Sequence, residues 1–141
     1  MTSFVLMILS YMALVSSETC TTSDFFLGKR LNVKTYFEHS ATEVVSCYIN
    51  CQDDDKCISI NFSKGNSTCQ RLRRSHKFPA RLALKDAVDW MYVVNDENPC
   101  NRDPYPCTEK ELCEKKHASA HETFHCTSLF NISGEWIRFA N

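Results

Sequence analysis

The stretch from Cys47 to Cys69, CYINCQDDDKCISINFSKGNSTC, holds four of the nine cysteines of this 141-residue chain. Their spacing is C-x3-C-x5-C-x11-C. In an exported chain, such a cluster is typical of disulfides that cross-link a modest hydrophobic core. Cys47 and Cys51 are four residues apart on a predicted helix, whereas Cys57 and Cys69 bracket a predicted strand. The stretch therefore predicts a helix that is tied by disulfides to a sheet.

A helix is predicted over residues 41–52. Ser40 and Glu43 have the S-x-x-E form of a capping box, in which each side chain satisfies a backbone donor at a helix start. Four residues recur at i, i+3, i+4 and i+7 and share the predicted buried face, namely Val44, Cys47, Tyr48 and Cys51. The three aspartates at 53–55 oppose the helix dipole, so they are expected to end the helix in a solvated loop rather than a calcium site.

Alternating apolar and polar residues predict the strands. Two short strands are expected between Phe25 and Phe37. A hairpin is expected after the helix, with arms at residues 57–62 and 68–72 and a turn at Lys64-Gly65-Asn66. Residues 89–94 predict a closing strand. Each arm of the hairpin, or its end, carries a cysteine, so the helix cysteines have partners close by.

Residues 1–17 are predicted to be a signal peptide. The apolar run from Phe4 to Val15 is too short to cross a bilayer and is followed by small residues before Glu18. The alternative is a signal anchor that stays attached, because no Lys or Arg precedes the run. No membrane span is expected after cleavage. The 16 basic and 17 acidic residues give no sign of a nucleic-acid or membrane partner.

The runs VVSCYINC at 44–51, DDKCISINF at 54–62 and CQRL at 69–72 resemble the PAN/apple domain family. The shared motif is a helical C-x3-C, a Cys-x-Ser-x-Asn-aromatic strand and a later Cys before a polar residue and Leu. The resemblance covers residues 20–94. It implies an α+β fold in which one helix packs across a five-stranded antiparallel sheet. It also implies bonds from Cys47 to Cys69 and from Cys51 to Cys57.

Beyond this region, residues 95–99 predict a polar linker. The segment 100–126 has the spacing C-x6-C-x5-C-x12-C and is similar to the first half of an EGF-like module. The fold therefore includes a small disulfide-rich C-terminal segment. Residues 127–141 form a tail with no assigned partner element.

The EGF-like resemblance implies that Cys100 pairs with Cys113 and Cys107 with Cys126. Cys20 is then the unpaired cysteine, and a disulfide-linked dimer is a possible consequence of the odd count. The alternative is that Cys100 bonds Cys20 and so joins the two ends of the PAN/apple domain.

The sequence His121-Glu122-Thr123-Phe124-His125 satisfies H-E-x-x-H. On a helix, this spacing places two imidazoles on one face as zinc ligands and lets the glutamate activate a metal-bound water. Cys113 and His117 continue the four-residue spacing, so a structural zinc site is a further alternative. Only 16 residues follow His125, and Cys126 is expected in a disulfide. Chance is therefore the favoured origin of the motif, and no metal or other cofactor is predicted.

One basic cluster is dense enough to attract a heparin-like polysaccharide or an acidic protein face. Its members are Arg71, Arg73, Arg74, His76, Lys77 and Arg81. The alternative, a solvated strand end and loop, is favoured.

Three sequons predict N-glycosylation, at Asn61, Asn66 and Asn131. Asn61 falls within a predicted strand, which favours the other two sites. Several aromatic residues are expected to pack in the sheet core rather than to form a ligand shelf, namely Phe25, Phe26, Phe37, Phe62, Trp90 and Tyr92. No Gly-x-Ser-x-Gly motif or phosphate loop is present.

These patterns together favour a secreted, extracellular recognition or adhesion module that binds protein or carbohydrate and is not an enzyme. A small zinc-dependent hydrolase that uses the HETFH motif is the alternative from another class. A third interpretation is a truncated fragment of a larger adhesion or matrix protein.

Overall fold

The computed structural model describes residues 24–118 and 121–128. The predicted signal peptide, Cys20, Asn131 and most of the predicted tail lie outside these residues. The helices and strands, in chain order, are β1 (Phe25–Arg30), β2 (Phe37–Ser40), α1 (Val44–Gln52), β3 (Ser59–Ser63), β4 (Thr68–Leu72), β5 (Lys85–Val94), a short 3₁₀ helix (Pro99–Asn101), β6 (Glu111–Ala118) and β7 (His121–Ser128).

Strands β1 to β5 form one antiparallel sheet in the order β1-β5-β3-β4-β2, and α1 packs against β3 and β4. Strands β6 and β7 form a separate antiparallel hairpin. The predicted α+β fold, an antiparallel sheet with one helix, is therefore confirmed. Among the described residues, no helix is long and apolar enough to cross a membrane.

The central strand β3 divides the core into two layers. All five of its residues are buried. Ile60 and Phe62 pack with Cys47 and Cys51 beneath α1. Side chains alternate across a strand, so Asn61 points to the opposite face of the sheet, where a second buried cluster contains Leu31, Leu72, Tyr92 and Val94.

Four disulfides cross-link the described residues. They join Cys47 to Cys69, Cys51 to Cys57, Cys100 to Cys113 and Cys107 to Cys126, with Cα–Cα distances of 5.6, 5.1, 5.5 and 5.7 Å. All four distances lie in the normal range for the bond. These are the pairings that the two resemblances imply, and they leave Cys100 with Cys113 rather than Cys20. The first two bonds tie α1 to both arms of the β3–β4 hairpin.

The helix begins later than the sequence predicts, at Val44 rather than at residue 41. Its N-cap is Glu43, which makes no side-chain capping bond, so the predicted capping box is wrong. The Ala41 amide instead donates to the Ser67 carbonyl in the β3–β4 turn at 2.9 Å. That tertiary bond holds the chain extended until the helix starts.

The second predicted strand between Phe25 and Phe37 is also wrong, because no strand forms between Arg30 and Phe37. Leu31 is only 1% exposed, and its amide and carbonyl both bond to the Asn61 side chain at 2.9 Å. The alternating pattern of this stretch therefore reflects burial against the sheet rather than a ladder of backbone bonds.

The stretch predicted as a polar linker, residues 95–99, packs against the sheet. Asn95 and Asn98 are 3% and 2% exposed, and both side-chain amides donate to the Cys57 carbonyl at 3.2 Å. Its asparagines therefore serve as partners for buried backbone groups. The strand before it, β5, starts at Lys85 rather than at residue 89.

The disulfide-rich C-terminal segment rests on the same end of the sheet. Ile58 packs with Cys100 and Cys113. The Lys115 amide donates to the Asp55 carbonyl at 3.1 Å, and Arg73 on the β4 side pairs with Glu114 at 3.0 Å.

Candidate functional site

An exposed aromatic ring lies at the β2 edge of the sheet, on the face that carries α1. Phe37 is 46% exposed, and the ring centroid of His39 is 5.6 Å from its own. The Arg71 guanidinium lies 4.2 Å from the Phe37 centroid. Asn50 Nδ2, on α1, lies 3.4 Å from His39 Nε2. We call Phe37, His39, Asn50 and Arg71 the Phe37 surface.

Strand pairing explains this grouping. Phe37 is the direct cross-strand partner of Arg71, and His39 is the partner of Cys69. Residues two apart on a strand share a face, so Phe37 and His39 both lie on the helix side. Because β2 ends the strand order, this row of side chains stands at an open edge.

Arg71 is held in position by a carboxylate outside the Phe37 surface. Its Nη1 bonds Asp54 Oδ2 at 2.7 Å, and the Tyr36 hydroxyl donates to the same oxygen at 2.6 Å. Burial would raise the pKa of Asp54, but hydrogen bonds from Tyr36, the Lys56 amide and Arg71 outweigh it and hold that pKa below its usual value. The carboxylate stays charged at neutral pH and anchors the guanidinium beside the Phe37 ring.

The protonation states of two neighbours follow from the same environment. Burial, followed by the hydrogen bond to Asp54, raises the pKa of Tyr36 far above its usual value, so Tyr36 stays a hydroxyl donor. Burial and the nearby charge of Arg71 lower the pKa of His39. Its imidazole is therefore neutral at pH 7, with Nε2 facing Asn50 and Nδ1 buried.

A second exposed group lies on the same face of the sheet at the opposite edge. Phe25 and Leu27 on β1 are 47% and 66% exposed, and Val45 and Ile49 on α1 are 63% and 49% exposed. We call Phe25 and Leu27 the β1 surface. They share a face because the cross-strand partners of Phe25 and Leu27 are Val93 and Met91, which pack in the cluster beneath α1.

Val45 and Ile49 lie on the outward side of α1, because at about 100° per residue they stand roughly opposite the buried Cys47 and Cys51. Gln52, which continues their flank of the helix, donates to Glu97 just after β5 at 2.9 Å. Asn50, on the other flank, contacts His39 on β2. The helix therefore separates the β1 surface from the Phe37 surface.

These exposures correct one prediction. Phe26, Phe62, Trp90 and Tyr92 are buried or half-buried as expected, but Phe25 and Phe37 are not. Both lie on edge strands, β1 and β2, beyond the part of the sheet that α1 covers. Asp54 is a second correction, because the acidic run was interpreted as a solvated loop and Asp54 is instead an internal ion-pair partner.

The predicted basic cluster does not form one surface. Arg71 pairs with Asp54, Arg73 with Glu114, and Lys77 with Asp24. Arg74 is half-buried and donates to the Ala80 carbonyl at 3.1 Å. The cationic groups that the sequence suggested as a polyanion site are therefore divided among separate internal pairs, and Arg81 is an exposed member apart from these pairs.

His76, the remaining member of the cluster, faces the interior. Its amide donates to the Tyr92 hydroxyl at 2.9 Å, and its ring lies edge-on to Phe26, with centroids 5.2 Å apart. Burial, followed by the charge of Lys77, lowers its pKa. His76 is therefore a neutral packing residue at pH 7 rather than a contributor to a cationic surface.

The HETFH motif lies in strand β7, not in a helix. Along a strand, residues 121 and 125 have Cα atoms about 13 Å apart, whereas one helical turn would bring them within about 6 Å. The helical zinc site that the sequence analysis considered as an alternative for His121 and His125 is therefore not formed by this backbone. His125 instead lies opposite Glu114 in the hairpin, with Nε2 and Oε2 3.7 Å apart.

Among the described residues, one group has ligand atoms close enough for a metal, Cys107, Glu111 and Cys126. Cys107 and Cys126 form a disulfide with each other, so neither supplies a thiolate. The Glu111 carboxylate accepts from the Thr108 amide at 3.0 Å and from its hydroxyl at 2.9 Å. The cluster is thus accounted for by a disulfide and a turn.

The predicted glycosylation sites differ in accessibility. Asn66 is exposed in the β3–β4 turn. Asn61 is 0% exposed and bonds Leu31 and Gln70, so its side chain is not accessible in the folded chain. Its amide nitrogen already donates to the Leu31 carbonyl.

No protein-family model matches the chain, and neither a curated protein nor a solved structure matches it. The PAN/apple and EGF-like resemblances therefore remain predictions from the sequence motifs.

Proposed function

We propose that this protein is a secreted, non-catalytic recognition module of the PAN/apple type, with an EGF-like C-terminal segment, that binds carbohydrate through the Phe37 surface. The observation that carries the proposal is an exposed phenyl ring grouped with the planar polar side chains of His39, Asn50 and Arg71, of which Arg71 is held in position by Asp54. The sheet with its single helix and the four disulfides agree with what the resemblances imply. An extracellular location fits a chain with four disulfides.

The chemistry of the Phe37 surface suits a sugar ring. The C–H face of a pyranose is apolar and stacks on an aromatic ring, while its hydroxyls need donors and acceptors around that ring. The exposed side-chain amide of Asn50 supplies both kinds of group. Arg71 supplies donors, and its position is set by Asp54 rather than by the ligand, so less side-chain freedom is lost on binding.

Protein binding is the other half of the predicted function, and the Phe37 surface favours carbohydrate over it. The surface contains one aromatic ring and three polar side chains, whereas the centre of a protein interface has several apolar anchors. The enzyme alternative loses its geometric basis because residues 121–125 lie in a strand.

Three phenylalanines of similar exposure allow a matched test. Phe37, Phe25 and Phe124 are 46%, 47% and 43% exposed. The full chain, secreted from eukaryotic cells, is screened on an array of neutral and sulfated glycans, and the best neutral oligosaccharide is titrated by calorimetry. Phe37→Ala should weaken that binding at least about tenfold, which corresponds to about 1.4 kcal/mol. Phe25→Ala and Phe124→Ala should change it by less than about twofold.

Two outcomes would refute the carbohydrate proposal. One is that the wild-type chain binds no glycan on the array. The other is that Phe37→Ala binds as tightly as Phe124→Ala. Binding restricted to sulfated glycans and lost with rising salt would favour the polyanion hypothesis instead.

A further inference from the structure

The disulfide between Cys107 and Cys126 is the most accessible of the four. Cys126 is exposed and Cys107 is half-buried, whereas the six cysteines of the other three bonds are at most 4% exposed. Thiol–disulfide exchange requires that the attacking group reach a sulfur atom. A reductant should therefore open this bond before the others.

The backbone around the two sulfur atoms is held by other contacts as well. Cys126 lies directly opposite Cys113 in the β6–β7 hairpin, and Cys113 is bonded to Cys100 in the buried cluster that contains Ile58. That bond closes the segment 100–113, which includes Cys107. The thiols of Cys107 and Cys126 should therefore stay close together after their own bond is reduced.

A carboxylate stands beside these sulfur atoms. The ligand atoms of Cys107, Glu111 and Cys126 all lie within 4.8 Å of one another. Thr108 bonds Glu111 Oε2 through its amide at 3.0 Å and its hydroxyl at 2.9 Å, which orients the carboxylate. Within the described part of the chain, Glu111 Oε1 accepts no hydrogen bond and is open to a cation.

Thiolate sulfur and carboxylate oxygen are both ligands that Zn²⁺ takes in proteins. In a tetrahedral site with Zn–S bonds of about 2.3 Å, two sulfur atoms are about 3.8 Å apart. Cα atoms 5.7 Å apart allow this separation by rotation of the two cysteine side chains. We propose that reduction of the Cys107–Cys126 disulfide converts these two residues and Glu111 into a Zn²⁺ site, with water as the fourth ligand. This proposal is independent of carbohydrate binding.

Reduction transfers two electrons and two protons to the disulfide. A dithiol reductant, such as a thioredoxin-type protein, supplies them and itself becomes a disulfide. Zn²⁺ then displaces the two thiol protons, which pass to solvent, and binds both thiolates. The metal ion itself undergoes no change of oxidation state.

The test uses the full chain secreted from eukaryotic cells, in a Cys20→Ser background so that the ninth cysteine adds no thiol. The chain is reduced with a phosphine, which becomes a phosphine oxide with oxygen from water and does not compete for zinc as a dithiol would. Timed samples are alkylated and mapped by peptide mass spectrometry. Cys107 and Cys126 should be labelled before the other six disulfide cysteines.

The partly reduced chain is then freed of phosphine under argon and titrated with metal. It should bind one Zn²⁺ per chain, and Co²⁺ should give the sulfur-to-cobalt charge-transfer absorption of a thiolate site. Glu111→Gln should weaken Zn²⁺ binding at least about tenfold. Glu109→Gln, at an exposed glutamate in the same segment, should change it by less than about twofold.

Two further variants separate this site from other metal binding. His125→Gln should change Zn²⁺ binding by less than about twofold, because successive residues of β7 point to opposite faces and His125 lies away from Cys126. The double variant Cys107→Ser/Cys126→Ser, with wild-type circular dichroism, should give no charge-transfer absorption with Co²⁺. The proposal is overturned if the four disulfides are reduced together or if the partly reduced chain binds no Zn²⁺. It is equally overturned if Glu111→Gln binds Zn²⁺ as tightly as Glu109→Gln.

Discussion

Replacing Asn61 by alanine should destabilise this domain more than any exposed polar substitution. Asn61 is fully buried. Its Oδ1 accepts from the Leu31 amide at 2.9 Å, and its Nδ2 donates to the Leu31 carbonyl at 2.9 Å and to Gln70 at 3.4 Å. The side chain thus acts as a backbone partner where the chain has left the sheet.

The expected loss of unfolding free energy follows from the backbone groups of Leu31 that lose their hydrogen-bond partner. Asn61→Ala removes the two short bonds and leaves the amide and carbonyl of Leu31 buried, since Leu31 is 1% exposed. Each buried backbone group without a partner costs about 1–3 kcal/mol, so the variant should lose about 3–4 kcal/mol of unfolding free energy. Asn61→Asp keeps the acceptor but sets a carboxylate oxygen against the Leu31 carbonyl, so it should lose at least as much at pH 7 and less in acid.

Urea denaturation of unglycosylated protein from an oxidising bacterial compartment measures this loss. Asn66→Ala is the matched control, because Asn66 is an exposed asparagine in the adjacent turn, and it should change the unfolding free energy by less than about 0.5 kcal/mol. The reasoning is refuted if Asn61→Ala loses less than about 1 kcal/mol with an unchanged denaturant slope.

Further predictions concern glycans, disulfides and pH. Peptide mass spectrometry of the secreted protein should find a glycan on Asn66 and none on Asn61. Replacing both Cys47 and Cys69, which are 22 residues apart, should lower the unfolding free energy by about 3 kcal/mol, and replacing Cys51 and Cys57, 6 apart, by about 2 kcal/mol in urea titrations. The folded-state pKa of Asp54 lies below its unfolded value of 3.8, so its stabilisation is complete above that pH and is lost as the pH falls through the folded value. Asp54→Asn should therefore reduce the fall in unfolding free energy that occurs as the pH drops below about 4. The folded-state pKa of His76 is likewise below 6.5, so its neutral form stabilises the fold above that pH, and His76→Gln should reduce the loss of unfolding free energy as the pH falls below about 6.5.

Local patterns predicted the parts of the fold that local interactions determine. Cys47 and Cys51 lie on the buried face of α1, as their four-residue spacing predicts. The β3–β4 hairpin follows from alternation around the Lys64-Gly65-Asn66 turn. The wrong predictions concern segments whose conformation depends on residues that are distant in sequence. Leu31 leaves the sheet because Asn61 supplies its hydrogen bonds.

The candidate site was harder to predict because exposure depends on how far α1 extends over the sheet. Phe37 and Phe62 are both aromatic residues in strands, yet Phe62 is 1% exposed and Phe37 is 46% exposed. No local pattern separates them, since only the strand order places β3 at the centre and β2 at the edge. The same order makes Arg71 the cross-strand neighbour of Phe37.

The disulfides of α1 determine how independent its two flanks are. Because Cys47 is bonded to Cys69 and Cys51 to Cys57, the helix cannot rotate without breaking a covalent bond. The exposed side chains of β1 and those of the Phe37 surface on β2, on opposite sides of α1, therefore keep fixed positions relative to the helix. Leu27→Lys, on β1, should accordingly leave the calorimetric affinity of the Phe37 surface for a free oligosaccharide unchanged within about twofold. A larger fall in that affinity would show that the two edges of the sheet are coupled through the helix.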